Sequence, residues 1–450
     1  MEFKNKRILV LGAGRTGVGI AKVLKLEGAD VVVNDGASSE SLKNDLEKLS
    51  QLDIEAVVGG HPKSLLDPKP DFIVKNPGIP MDIPFLESAR SKNIQVVSDV
   101  ELISSFTDAP IIAVTGTNGK TTVTSLIGHI LTGAQRQVSI GGNIGYSIAD
   151  AVYESDSEFV VCEVSSFQLE STQRFAPKIA VVTNISPDHL DRHLNMNNYV
   201  ESKLNVCINQ NESDYVVLNK RDLYAKRFAD ATRGDVYWFS RFDEVRDGAY
   251  LQDGKIYFAE GGKSKVVMDL DSVQLKGEHN IDNVLASIVA TRLAGMSLQQ
   301  ISKTIASFKG VEHRLEYVTE IDGVQFYNDS KATNSNSTIQ AINAFDRPLI
   351  LLLGGYDKGE KFDELATALH GGVREIITFG QCKDKLKETL SKKNKNITSI
   401  SNIEEAIKIA IIKAQEGDVV LFSPACASWD TFKNFEQRGK KFKELVLSAQ

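Results

Sequence analysis

Short, almost wholly apolar runs recur along the chain and restrict its possible folds more than any other feature: RILVLG, ADVVVND, DFIVKNPG, PIIAVTG, FVVCEVSS, IAVVTNIS, YVVLN, PLILLLGG, EIITFG and DVVLFSPA. A strand with one face in water alternates apolar and polar residues; these runs do not, as expected of strands covered on both faces. Helix-length amphipathic stretches separate them, so parallel α/β sheets are predicted. At 450 residues the chain exceeds what one hydrophobic core organises, and three domains are expected. One boundary is placed near residue 98, where QVVSDVELIS leads through Thr107 to Pro110 and the fresh strand PIIAVTG. The other lies near Gly310, between NIDNVLASIVATRLAG and EHRLEYV. From Tyr237 to Val273 the pattern changes to short alternating segments and glycine turns, which predicts a β-hairpin excursion from the middle domain.

Composition narrows function by exclusion. A net charge of −7 with dispersed Lys and Arg argues against nucleic acid as a partner, so any phosphate must be held by a local site. Cys162, Cys207, Cys382 and Cys426 show no C-x-x-C pairing and suggest neither a disulfide framework nor a zinc site. The start, MEFKNKRILVLGAG, has no apolar signal core, and no segment reaches the roughly 18 apolar residues of a membrane span. A cytoplasmic protein without membrane insertion is expected.

Two glycine clusters carry the chemistry. Gly12-Ala-Gly14-Arg15-Thr16-Gly17 follows a strand and opens a helix, with Asp35 at the end of the next strand. Glycines there let the backbone approach a diphosphate, the helix N-terminus stabilises its charge, and the acid can bond a hydroxylated group, the alternative being a purely structural strand-to-helix turn. The turn Asn76-Pro77-Gly78-Ile79-Pro80 falls at the same sheet edge, either shaping that pocket or serving as a plain Pro-Gly turn. The second cluster is Thr115-Gly116-Thr117-Asn118-Gly119-Lys120-Thr121-Thr122, between PIIAV and the helix TVTSLIGHIL. It reads as a P-loop: amides cradle phosphates, Lys120 neutralises them and the Thr121 hydroxyl can ligate magnesium. Its spacing is G-x-x-G-K-T, with Val114 where generic NTPases have glycine.

Glu163 ends the strand FVVCE at the P-loop edge, where a carboxylate could hold magnesium, although a lone acid after a strand can equally be a helix cap or a solvated group. Asp188, His189 and Asp191 follow IAVVTNIS in the same manner, and His193 reads as a surface residue. Gly141-Gly142-Asn143-Ile144-Gly145 is a further close-approach segment that offers an amide to a phosphate or carbonyl, or serves backbone conformation alone.

Taken in order, TGTNGKTT, GGNIG, EVSSFQLE, NISPDHLDRH, the lysine of ESKLNV, GEHNIDN, EHRLE, NDSKATN and SPACASWDTFKNFEQRG resemble the landmarks of the Mur ligase family over nearly the whole chain. The motifs up to NDSKATN are shared with sibling amide ligases, including folylpolyglutamate synthetase. The last is similar to the signature of the D-glutamate-adding members. The resemblance implies an α/β protein of three domains: a Rossmann-like domain over 1–98 that binds a UDP-linked substrate, a central P-loop ATPase-like parallel sheet over 99–310, and a Rossmann-like domain over 311–450 that brings the amino acid.

It further implies an ATP-dependent acid–D-amino-acid ligase adding D-glutamate to UDP-N-acetylmuramoyl-L-alanine through an acyl phosphate, in peptidoglycan precursor synthesis. ATP would be held by Gly116, Thr117, Asn118, Gly119, Lys120, Thr121, Thr122, Asn283, Arg314 and Asp329, with Lys331 near the phosphates. Two magnesium ions would use Thr121, Glu163, His189 and Lys203, the last as a carbamate because an ammonium has no lone pair to offer. Lys120, His189 and Lys203 would be catalytic. The UDP-linked substrate would meet Gly14, Arg15, Thr16, Asp35, Gly78 and Asn143, although Asn76 stands where serine commonly precedes Pro-Gly. D-glutamate would meet Thr333, Lys358, Ser428 and the backbone around Phe435. Asn280 shares a helix face with Asn283 or caps that helix, and Cys426, Trp429 and Phe432 read as core. The third domain is expected to close onto the second, and no obligate protein partner is implied.

Three rivals remain on the sequence alone. A sibling ligase would differ in acceptor and amino acid. A nicotinamide dehydrogenase would use Gly12, Gly14, Gly17 and Asp35 but leave the P-loop unexplained, and a nucleotide sensor would have no turnover for Lys120→Ala to abolish.

Overall fold

Every one of the ten apolar runs becomes a strand, and the strands collect into three sheets. The computed structural model describes residues 2–143, 147–275, 277–369, 371–393 and 396–449, with the backbone but not the side chain of Asp191. The chain forms two compact units, one of residues 1–273 and 281–308, the other of residues 274–280 and 309–450.

The first unit contains two sheets. Five parallel strands run in the order Glu55–Val58, Asp30–Asp35, Arg7–Leu11, Phe72–Lys75 and Gln95–Val97. Val10 stands opposite Val33 and Val74, and this middle strand is sealed on both faces. The helix Arg15–Leu26 follows at once, burying Val18, Ile20, Ala21, Val23 and Leu24. It can approach so closely because Gly17 has no side chain: a Cβ there would lie 1.7 Å from the carbonyl oxygen of Gly12.

The second sheet of this unit has nine strands. Ile111–Thr115, which leads into the P-loop, is wholly buried between Phe159–Glu163 and Ile179–Val182, with Val138–Gly142 at the edge beyond. Tyr215–Asn219 and Asp235–Ser240 continue it in parallel, and Gly248–Gln252, Lys255–Glu260 and Lys263–Asp269 form an antiparallel meander at the far edge, where the hairpin excursion was expected. Because neighbouring strands run parallel, Thr115, Glu163 and Val182 reach the same carboxyl edge, where α/β sheets bind ligands.

The second unit has a six-stranded sheet in the order Glu316–Ile321, Val324–Asn328, Val419–Phe422, Leu349–Gly354, Val373–Phe379 and Ile397–Ser399, parallel except for its first pair. Leu349–Gly354 is buried along its whole length, and Phe422 stacks on Phe442 of the helix Phe435–Leu447 at 4.6 Å between rings. All four cysteines are free and buried. Among the described residues no helix is long and apolar enough to cross a membrane.

Candidate active site

Between the strand Ile111–Thr115 and the helix Lys120–Gly133 the chain makes a turn that only glycine permits at its start. Gly116 has φ of +135°, and a Cβ on it would sit 2.0 Å from Thr183 Oγ1. Asn184 fastens the turn, its carbonyl accepting from the Thr117 amide at 2.7 Å and its side-chain oxygen from the Asn118 amide at 3.0 Å. The Thr117 hydroxyl bonds Ser186 and Tyr199. Thr117 and Asn118 therefore shape the loop from within, and the amides at the start of helix Lys120–Gly133 are the ones placed to meet an anion. Lys120 Nζ rests on the carbonyls of Gly116, at 3.1 Å, and Thr117, at 2.6 Å. Asn283 lies against the same turn, since a Cβ on Gly119 would be 2.2 Å from its Oδ1.

Glu163 is buried at the end of its strand. Thr121 donates to its Oε2 at 2.8 Å and Asn143 Nδ2 to its Oε1 at 3.0 Å. Thr121, Glu163 and Asn143 thus converge at the foot of the P-loop. Of the glycine segment that follows, Ile144 and Gly145 lie outside the described residues. Lys203, on the helix Met196–Leu204, is 1 % exposed and donates to the Gly116 carbonyl at 2.8 Å. Burial drives its ammonium well below the usual lysine range, Lys120 adds repulsion, and Asp188 and Glu163 oppose the shift.

His189 stands at a left-handed turn, 49 % exposed, its Nε2 3.5 Å from Asp188 and its ring 4.8 Å from Phe167. Asp191 falls in the short helix Leu190–His193, its side chain outside the described set. His193, expected at the surface, is instead buried: its Nε2 lies 2.9 Å from the Ser166 hydroxyl, and its ring stacks on Phe167. Burial holds it below the ordinary imidazole range.

In the N-terminal sheet Asp35 accepts from the Ala13 amide at 2.7 Å and the Ala37 amide at 2.8 Å, so this acid fixes the first glycine turn. Gly14 caps the helix that Arg15 and Thr16 begin, with Arg15 exposed. Gly78 donates to the side chain of Asn76, which stands against Gly12.

The second unit holds the remaining candidates. Asp329 is buried, accepting from Ser423 at 2.7 Å and the Leu315 amide at 3.2 Å, and burial lifts its acid to about 6 despite the nearby Arg314. Arg314 and Asn280 line one small cavity with Tyr317 and Tyr327. Asn280 lies inside the helix Glu278–Leu293 and so does not cap it. Lys331 stands 5.7 Å over the ring of Phe435, Thr333 is half-buried and Lys358 exposed. Ser428 is buried, its carbonyl accepting from the amides of Thr431 and Phe432. Cys426 is buried as expected, but Trp429 is 62 % exposed, with its ring 5.7 Å from Tyr356; it belongs to no core. Glu312, His313 and Glu316 cluster with metal-like spacing, yet Lys443 already donates to both carboxylates and supplies their cation.

Sequence reasoning missed Arg438. It is 1 % exposed, and its guanidinium donates to the carbonyls of Cys426, Ala427, Gly354 and Ser330 and to the Ser330 hydroxyl. Burial lowers its proton affinity to about 10. It stands inside the motif SPACASWDTFKNFEQRG, the one sequence signal for it, but the motif does not say what the guanidinium touches.

Three family models match in succession: Mur ligase MurD-like, N-terminal domain, over residues 6–98; Mur ligase middle domain, over 114–291; and Mur ligase, glutamate ligase domain, over 313–426. The UDP-N-acetylmuramoylalanine–D-glutamate ligase of Thermoanaerobacter sp. (strain X514) is 43 % identical, with 100 % of each chain covered. That of Clostridioides difficile (strain 630) is 40 % identical, with 99 % of each covered. Among solved structures, UDP-N-acetylmuramate-alanine ligase from Thermotoga maritima superposes with a TM-score of 0.61 over 99 % of this chain and 100 % of its own, at 20 % identity, a likeness of fold. With successive models spanning most of its length and full-length relatives at 40–43 % identity, the chain belongs to the Mur ligase family.

Proposed function

We propose that this chain joins D-glutamate to UDP-N-acetylmuramoyl-L-alanine in an ATP-dependent reaction, as its full-length relatives are named for doing. The observation that carries the reading is the gathering of Lys120, Lys203, Thr121 and Glu163 around one P-loop turn. A carboxylate resists nucleophiles because attack adds charge to an anion. Transfer of the ATP γ-phosphoryl group to an oxygen of the alanine carboxylate releases ADP and leaves an acyl phosphate. The D-glutamate amine then attacks the acyl carbon, phosphate departs with the C–O bond, and the amine loses its proton as the amide forms.

Triphosphate and carboxylate repel each other by several kcal/mol in a poorly solvated site, at order-of-magnitude level. Lys120 and the helix N-terminal amides answer that repulsion. Magnesium fits the oxygen donors of Thr121 and Glu163, and when bound it would neutralise phosphate charge. Two ions are expected, with His189 completing the set; Lys203 as an ammonium is a donor and would join it only as a carbamate. Asn283, Arg314 and Asp329 would contact nucleotide, with Gly116, Thr117, Asn118, Gly119 and Thr122 forming its cradle. Gly14, Arg15, Thr16, Asp35, Gly78 and Asn143 would take the UDP-linked acceptor. Thr333, Lys358, Ser428 and Phe435 would take D-glutamate. We place the boundaries of the three domains at residues 98 and 310, and the reaction in the cytoplasm, in the synthesis of the peptidoglycan that governs cell shape and division.

Phosphate release tests the proposal. It should require UDP-N-acetylmuramoyl-L-alanine and D-glutamate together, with L-glutamate and L-alanine inert. Release with only L-glutamate and a folate would overturn the assignment.

A further inference from the structure

One carboxylate in the first unit joins two segments that the reaction must align. Glu170 directly follows the helix Ser166–Leu169, and its Oε1 accepts from Lys75 Nζ at 3.2 Å and Arg192 Nη2 at 2.6 Å. Both cations also donate to a single carbonyl, that of Ile79, at 2.9 Å and 3.0 Å. Lys75, Ile79, Arg192 and Glu170 therefore close a ring of four hydrogen bonds.

On one side the ring holds the turn Asn76–Ile79, which contains Gly78 and abuts Gly12. On the other side Arg192 lies three residues past His189 in sequence, with its guanidinium 5.0 Å over the ring of Phe167, the same ring that His189 meets. The Lys75 side chain is fully buried, and the side chains of Glu170 and Arg192 are only 15 % and 18 % exposed. Exposed ion pairs contribute little, whereas a buried ammonium is costly unless its partner is fixed. Lys75 accordingly demands a particular place for Glu170, and Glu170 in turn for Arg192.

Resting on the ligase reading above, we propose that Glu170 is a positioning residue, which through Lys75 and Arg192 sets the acceptor-binding turn in register with the loop that carries His189. No part of the ring need touch substrate. Its work is to hold the acceptor carboxylate at a fixed distance from the phosphates, and small displacements of reacting atoms cost large factors in rate.

The test uses the full chain with Glu170→Gln, the charge-balanced pair Lys75→Met with Glu170→Gln, and Arg192→Lys, which keeps its charge but loses the planar guanidinium whose Nη2 makes both bonds of the ring. Circular dichroism melts identify the folded variants. Folded variants should show an acceptor KM raised, or kcat lowered, by roughly tenfold or more, with the KM for ATP within about twofold of the parent. Folded variants with parental kcat and acceptor KM, or with equal rises in both KM values, would overturn the proposal. A parent chain without ligase activity would instead sink the ligase reading. The ring would then be judged by hydrogen exchange at the Gly78 and Ile79 amides, which should quicken about tenfold in Glu170→Gln and would leave the proposal refuted if unchanged.

Discussion

Arg438 is buried, and every hydrogen bond it donates ends on a carbonyl oxygen or a hydroxyl. Three separate stretches of chain, around Ser330, Gly354 and Cys426-Ala427, hang from this planar fork, and they flank the residues proposed for D-glutamate. Lysine has three donors where arginine has five and cannot match that plane. Arg438→Lys should lower unfolding stability by about 3 kcal/mol and raise the KM for D-glutamate while sparing that for ATP, as read by urea melts and steady-state kinetics. Asp329 offers a test by pH. Burial lifts its acid to about 6 from an ordinary value near 3.8, so the native chain takes up this proton before the unfolded chain does. Its contribution to stability therefore improves as pH falls from about 6 to about 4 and is constant above 6. Asp329→Asn removes the dependence, so the stability difference between variant and parent should shift toward the variant by up to about 3 kcal/mol between pH 4 and 7. Parallel urea melts across that range would show a flat difference if the acid were ordinary.

Elements carry their own constraints, and the P-loop turn is the sharpest. Gly116→Ala would place a methyl group 2.0 Å from Thr183 Oγ1 in a conformation that side chains rarely adopt, so the turn must move. Titration calorimetry with a non-hydrolysable ATP analogue and magnesium should show roughly fivefold to hundredfold weaker binding, the equivalent of about 1–3 kcal/mol of backbone strain. That turn was legible because strand, glycine, lysine and helix are neighbours in sequence. The ten buried strands were legible for a related reason: cover on both faces removes polar residues from them. Glu55–Val58, Gln95–Val97, Val138–Gly142 and Ile397–Ser399 were not read as strands, and all four are sheet edges with short apolar runs; Val324–Asn328, paired on both sides, escaped as well because Gln325 and Asn328 break its apolar run. Trp429 and His193 were misplaced because residue type predicts average burial, whereas loop path decides it here. The Lys75–Glu170–Arg192 ring had no local trace at all, since its members are 95 and 22 residues apart.

At the scale of the whole molecule, the division into two units gives each proposed ligand a distinct thermodynamic signature. The residues proposed for the UDP-linked acceptor, Gly14 through Asn143, all fall in the first unit, and those proposed for D-glutamate, Thr333 through Phe435, all fall in the second. The chain's two tryptophans divide the same way: Trp238 lies in the strand Asp235–Ser240 and Trp429 beside Tyr356. Trp429→Phe therefore leaves a fluorophore that reports the first unit, and Trp238→Phe one that reports the second. A ligand stabilises what it binds by about 2.7 kcal/mol when present at a hundred times its Kd. UDP-N-acetylmuramoyl-L-alanine alone should thus raise the urea midpoint seen by Trp238 and leave that seen by Trp429 in place. An equal shift of both reporters would mean that the units unfold as one, and a shift confined to Trp429 would remove the acceptor site from the N-terminal sheet.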